Sequence, residues 1–165
     1  MAANTPALRV RRARPEEAAA LTAQIQRSKA HWGYAPALLD AWRPELTLTP
    51  AIIAHDPVFC AEEVDSGAVV GVLHLAPESA DVVCLDHLFV EPGAMGRGAG
   101  ALLWRCAVAQ AAAAGAQTIT LDADPNARAF YEQMGAVVVG WTASATVPGR
   151  RLPHMRFDLP ARPEP

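Results

Sequence analysis

The stretch Leu85-Asp86-His87-Leu88-Phe89-Val90-Glu91-Pro92-Gly93-Ala94-Met95-Gly96-Arg97-Gly98-Ala99-Gly100-Ala101-Leu102-Leu103 decides how this chain is read. It begins inside an apolar run, passes through a glycine-rich turn and ends inside a helix. The run, Asp81 to Val90, is rich in Val and Leu and predicts a strand. The helix is predicted to continue to about Ala114 and to be closed by Gly115. In the turn, Gly96, Gly98 and Gly100 carry no Cβ, so the backbone can come close to a ligand. The N–H groups of Gly98, Ala99, Gly100 and Ala101 point out of the helix start, where the macrodipole favours negative charge. A pyrophosphate is the natural guest, and Arg97 could add a side-chain contact. The plain alternative is a flexible glycine loop without a ligand.

Two other phosphate patterns compete for the same residues. Gly96, Gly98 and Ala101 satisfy a loose dinucleotide fingerprint, with Asp122 near the place of a ribose-binding acid. Against it, Glu91 to Met95 separate the glycines from the strand, and an antiparallel hairpin precedes the unit. Too little chain follows for a doubly wound sheet. A Walker A loop is excluded, because no Lys-Ser or Lys-Thr follows the glycines.

Working outward, Val58 to Val64 and Ala68 to Leu75 predict a hairpin around Asp65-Ser66-Gly67, and Pro77 to Ala80 turns into the deciding strand. Upstream, Ala7 to Val10 predicts an edge strand. Pro15 opens a helix with Glu16 and Glu17 in its first turn and Leu21, Ile25 and Ser28 on one face. Pro36 to Trp42 and a segment capped by Thr49-Pro50 predict two short helices. Downstream, Thr118 to Asp122 predicts a buried strand, Asp124-Pro125 starts a helix ending at Gly135, and Ala136–Ala143 and Leu152–Leu159 predict two last strands. The order implies an α+β or mixed α/β sheet with at least one parallel crossover.

Composition narrows the function. A chain of 165 residues fits one domain, and 52% hydrophobic with 19% charged residues is globular rather than disordered. A net charge of −3 with 14 scattered Lys and Arg argues against nucleic acid as a partner. No apolar run is long enough to span a membrane, and Met1 to Arg14 lacks the apolar region of a secretory signal. Three cysteines, Cys60, Cys84 and Cys106, form no framework, which fits a reducing compartment; the cytoplasm is expected. His31, His55, His74, His87 and His154 are scattered, and no metal is expected.

The stretch Leu85 to Leu103 resembles the acetyl-CoA motif of the GNAT superfamily of N-acetyltransferases. The later Asp124-Pro125-Asn126-Ala127-Arg128-Ala129-Phe130-Tyr131-Glu132-Gln133-Met134-Gly135-Ala136 resembles that family's second diagnostic segment, in the right order and at the expected distance. Together they cover roughly residues 58 to 143. One departure is Met95, where the family usually has Gln or Arg; backbone N–H groups hold the pyrophosphate, so the departure bears on CoA affinity rather than on mechanism. The resemblance implies one domain over residues 1–165, with 160–165 a loose tail, built on a mostly antiparallel mixed sheet of about seven strands flanked by about four helices. It implies acetyl-CoA as cosubstrate and an amine acceptor, either a small molecule or a peptide; homodimers are common in the family.

The resemblance also assigns residues. Leu88, Phe89 and Val90 would face the pantetheine arm across from Thr118–Leu121, with Val90's backbone pairing with its amides. A backbone N–H near Leu88 would face the thioester oxygen as an oxyanion donor. Met95, Gly96, Arg97, Gly98, Ala99, Gly100 and Ala101 would surround the pyrophosphate, and Asn126 and Phe130 would contact CoA. Tyr131 would stand near the CoA sulfur as proton donor; its alternative is a tyrosine half-packed on a helix whose core face is Phe130 and Met134.

An alkyl amine is only about 0.1% deprotonated at neutral pH, so transfer needs a base. Asp86 and His87 are the candidates, and strand alternation lets only one of them face the cleft. Asp86 shares parity with Leu88 and Val90; His87 has the better intrinsic pKa. Cys84 is more simply a structural thiol than a nucleophile. By family analogy, Trp32 and Tyr34 would wall the acceptor pocket, and Arg150 would meet an anionic acceptor. The leading function is direct acetyl transfer in a ternary complex. A non-catalytic acyl-CoA-binding or regulatory module and a nucleotide-cofactor oxidoreductase are the alternatives.

Overall fold

In the computed structural model, which describes residues 5–161, the chain runs β1 (Leu8–Arg12), α1 (Ala18–Ala30), α2 (Pro36–Trp42), α3 (Pro50–His55), β2 (Val58–Glu63), β3 (Val69–Pro77), β4 (Val82–Val90), α4 (Ala99–Ala113), β5 (Thr118–Asp122), α5 (Arg128–Gln133), β6 (Val137–Ala143) and β7 (Arg151–Asp158). Seven strands form one mixed sheet in the order β1-β2-β3-β4-β5-β7-β6. The β1–β2, β2–β3, β5–β7 and β6–β7 pairings are antiparallel. β4 and β5 are parallel, from Val82↔Thr118 to Cys84↔Thr120. That is the mixed α+β class expected. The helices number five among the described residues; α2 and α3 are the two short ones predicted, and each carries a proline in its first turn. A proline there has its φ already set and gives up an N–H that the helix could not pair. Residues 162–165, the rest of the expected tail, lie outside the described residues.

By contacts the chain divides into two compact units, Met1–His74 with His87–Cys106, and Leu75–Asp86 with Ala107–Pro165. In the first unit, β1 runs past the predicted Val10 to Arg12, because Arg11 and Arg12 still pair with Cys60 and Phe59 of β2. The buried Glu62 of β2 accepts from Arg9 Nε at 2.7 Å and Arg11 Nε at 2.6 Å. Arg11 also donates to Glu17 at 2.7 Å and holds that carboxyl down to about 2. α1 buries Leu21, Gln24, Ile25 and Ser28, the predicted face with Gln24 added. Ile53 of α3, Val58 and Cys60 of β2, Val72 and Leu73 of β3 and Leu103 of α4 are likewise excluded from solvent. Burying a side chain such as Ile25 contributes about 2 kcal/mol. Gly71 leaves room for Leu103: a Cβ there would stand 2.8 Å from Leu103 Cδ1, so the leucine side chain would have to shift.

In the second unit, Ile119 and Leu121 of β5 and Met155 of β7 form the buried centre, with Ala107 and Ala111 of α4 also buried. α5 does not present the face the sequence predicts. Tyr131 is its buried residue, while Phe130 and Met134 are half-buried. The helix is shorter than expected because Pro125–Ala127 forms a 3-10 turn ahead of it. No helix among the described residues is long and apolar enough to cross a membrane.

Candidate active site

The glycine turn has the geometry that an anion needs. Pro92–Ala94 forms a 3-10 turn, Ala94 is buried, and the chain then passes through Gly96 at φ 76° and Gly98 at φ 86° before α4 begins at Ala99. Both angles lie in the left-handed region that glycine tolerates best. A Cβ on either residue would meet nothing within 4 Å, so no protein neighbour demands a glycine here. The Gly98 carbonyl accepts from Leu102 N at 3.0 Å, which starts the helix and leaves its earlier N–H groups for a ligand. Arg97 is turned away to Glu63, donating from Nη2 to Oε1 at 2.6 Å, and holds that carboxyl below the usual carboxylate range. Met95 is half-buried.

On β4 the alternation rule holds: Asp86 is exposed and His87 is buried. Both His87 ring nitrogens are engaged inside the protein, Nε2 at 2.8 Å from the Glu45 carbonyl oxygen and Nδ1 at 3.0 Å from His74 Nδ1. The histidines scattered in sequence are therefore partly gathered in space. Leu88, Phe89 and Val90 are half-buried, and the buried Gln24 of α1 donates from Nε2 to the Phe89 carbonyl at 3.2 Å. A helix side chain thus takes up part of the hydrogen-bonding capacity of β4 just where the strand nears the turn.

In the second unit, Tyr131 is 5% exposed, and burial followed by the Asp124 carboxylate pushes its phenol well above the ordinary tyrosine range. Asp124 caps this segment: its Oδ1 accepts from Asn126 N at 2.9 Å and from Asn126 Nδ2 at 3.0 Å. Arg150 lies with Nη2 3.6 Å from Asp124 Oδ2, so its charge is directed at a carboxylate of the protein. Burial pushes the Cys84 thiol up to about 11, as expected of a structural cysteine. Near the predicted acceptor wall, Tyr34 packs edge-on against Trp42 at 4.8 Å, and Lys29 Nζ lies over both rings at 5.1 and 4.6 Å. Trp32 is exposed.

Sequence reasoning missed His74, Gln24 and Asp124 as partners of the candidate residues. The turn at Pro77–Ala80 does signal the histidine pair. Glu91 N donates to Val70 O at 2.8 Å, and the same hairpin symmetry sets His74 beside His87.

Residues 21–136, well over half of the chain, match the model of the acetyltransferase (GNAT) family. The chain belongs to the GNAT acetyltransferase family. This GNAT protein is an acyltransferase. It is similar to a GCN5-related N-acetyltransferase from Rhodopseudomonas palustris, at TM-score 0.72 and 25% identity over 96% of this chain and 99% of that one. It shares its fold with PaiA N-acetyltransferase from Thermoplasma acidophilum in complex with coenzyme A, at TM-score 0.73 and 15% identity over 92% and 99%. It also shares the fold of YncA from Salmonella typhimurium with its cofactor acetyl-CoA, at TM-score 0.66 and 19% identity over 96% and 98%. No curated protein sequence matches the GNAT chain.

Proposed function

We propose that this GNAT protein, acting as one catalytic domain, moves the acetyl group of acetyl-CoA to a primary amine by direct attack in a ternary complex. The observation that carries the reading is the turn before α4. Two left-handed glycines with open space beyond them lead directly into a helix of 15 residues, a fit for the pyrophosphate of CoA. The PaiA and YncA structures, with coenzyme A and acetyl-CoA respectively, support that choice of cosubstrate.

In the reaction, the amine nitrogen attacks the thioester carbon, the C–N bond forms and the C–S bond breaks. Asp86, exposed on β4, takes the proton of the attacking amine directly or through water. His87 is set aside as base because both of its nitrogens are already engaged. A backbone N–H near Leu88 bonds the thioester oxygen as negative charge builds there. Tyr131 gives its proton to the departing CoA thiolate and regains one from solvent before the next turnover. Its phenol is protonated at neutral pH, as this role requires, and burial keeps the proton on it. Asn126 and Phe130 are placed toward CoA in the same reading; Trp32 and Tyr34 are placed toward the acceptor. A reducing, cytoplasmic setting fits the three unpaired cysteines.

The test is thiol release from acetyl-CoA against a library of primary amines spanning small amines, amino acids and peptide N-termini. Release above the amine-free background with at least one class is expected. Tight acetyl-CoA binding without release for any class contradicts transfer to amines.

A further inference from the structure

One hydrogen-bonded chain in the first unit has no part in the reaction above. His87 Nε2 lies 2.8 Å from the Glu45 carbonyl oxygen, the Nδ1 atoms of His87 and His74 are 3.0 Å apart, and His74 Nε2 lies 2.8 Å from Asp56 Oδ2. The two rings are 5% and 3% exposed. Their centroids are 5.3 Å apart with planes 16° apart, which is the arrangement of rings meeting nitrogen to nitrogen in one plane.

The proton count follows from the partners. A backbone carbonyl only accepts, so His87 Nε2 carries hydrogen. The Asp56 carboxylate also accepts, so His74 Nε2 carries hydrogen. Two neutral imidazoles protonated at Nε2 would then oppose lone pairs at Nδ1, across a separation of 3.0 Å that is a hydrogen-bond length. One further proton removes the conflict and gives the pair a single positive charge, which Asp56 balances.

We propose that His74 and His87 share one proton and, with Asp56, form a charge-balanced lock that positions β4 for acetyl transfer. This rests on the reading given under Proposed function, because His87 lies between Asp86, assigned to take the amine proton, and Leu88, assigned to the oxyanion. The lock ties that point of β4 to β3 through His74, to the residue after α3 through Asp56 and to the α2–α3 connection through Glu45. The groups facing the pair include the Asp56 carboxylate, the Glu45 carbonyl and the Phe89 ring, 5.9 Å from His87. Arg12 of β1 donates to the Asp56 main-chain oxygen, and a carboxylate oxygen of Asp86 lies within 4.8 Å of a ring nitrogen of each histidine. His74 and His87 are positioning residues. Losing the shared proton opposes two lone pairs, and gaining a second opposes two N–H groups, so the pair titrates as one unit.

The experiment is long-range nitrogen–proton NMR on the full chain with labelled histidine, followed across the neutral range, together with calorimetric titration of acetyl-CoA. Two rings protonated at Nε2, sharing one Nδ1 proton and titrating together, are expected. Rings that titrate independently, or added zinc taken up stoichiometrically on both Nδ1 atoms, overturn the shared proton. His74→Ala is expected to weaken acetyl-CoA binding about tenfold. His74→Asn, which keeps an uncharged donor toward His87, is expected to restore it to within about twofold and to abolish the pair's joint titration. Equal affinity of the alanine variant and the wild type overturns the positioning role. If the alanine variant does not fold, an asparagine variant in which His87 still titrates as it does in the wild type overturns the proposal instead. A wild type that binds no acetyl-CoA sinks the acetyl-transfer reading, and the NMR result on the shared proton stands apart from it.

Discussion

At the scale of single residues, Tyr131 shows how burial equips a side chain for one chemical task. A phenol exposed to water titrates near 10. In this protein burial and the Asp124 carboxylate both oppose the phenolate, so the proton is held at any pH at which an amine acceptor is partly neutral. Tyr131→Phe is expected to lower kcat by about a hundredfold with the KM for acetyl-CoA unchanged, because only the proton to the leaving thiolate is lost. Linkage gives a second readout. The folded pKa lies above the unfolded one, so the contribution of Tyr131 to stability is intact below about pH 10 and declines as the pH rises further. Thermal unfolding of the Phe variant should therefore lose less stability above that pH than the wild type. An unchanged kcat removes the acid role. The sequence marked this tyrosine through its motif but misjudged its surroundings. A 3-10 turn at Pro125–Ala127 precedes α5, and helical periodicity does not register such a turn.

At the scale of elements, the strands and short helices were legible because their punctuation is strong. Pro36–Trp42 and Thr118–Asp122 have the predicted bounds, and the Thr49 hydroxyl caps α3 by accepting from Ile52 N at 3.1 Å. Side-chain pairing was not legible to the same degree. Arg97 sits among the glycines as an evident anion ligand, yet Glu63, far away in sequence, claims it. In the proposed reading the backbone of the turn holds the pyrophosphate, and a matched pair of variants isolates the effect. Gly98 at φ 86° and Gly67 at φ 69° both have open space where a Cβ would stand, but only Gly98 precedes α4. Replacing either with alanine should cost about 1 kcal/mol of stability through the left-handed backbone. Gly98→Ala should also weaken acetyl-CoA binding at least about tenfold, because its methyl occupies the ligand's approach, while Gly67→Ala leaves binding unchanged. Equal losses of affinity from calorimetric titration would move the pyrophosphate away from the turn.

At the scale of the whole molecule, seven strands and the GNAT family match confirm the class that the element order implied. The class was readable because a hairpin, a parallel crossover and a final antiparallel pair leave few sheet topologies open. The packing of Lys29, Tyr34 and Trp42 on one another, near the expected acceptor wall, was not readable, because it depends on side-chain geometry. The central claim is that the turn around Gly96 serves CoA rather than a nicotinamide dinucleotide. It is tested most directly by thermal unfolding with acetyl-CoA, CoA, NAD and NADP in parallel. A cosubstrate present at about 100 times its Kd adds about 2.7 kcal/mol, a rise of roughly 5–10 °C in Tm for a chain of this size. The account predicts that rise for acetyl-CoA and CoA and none for NAD or NADP; stabilisation by the nicotinamide cofactors alone would contradict it.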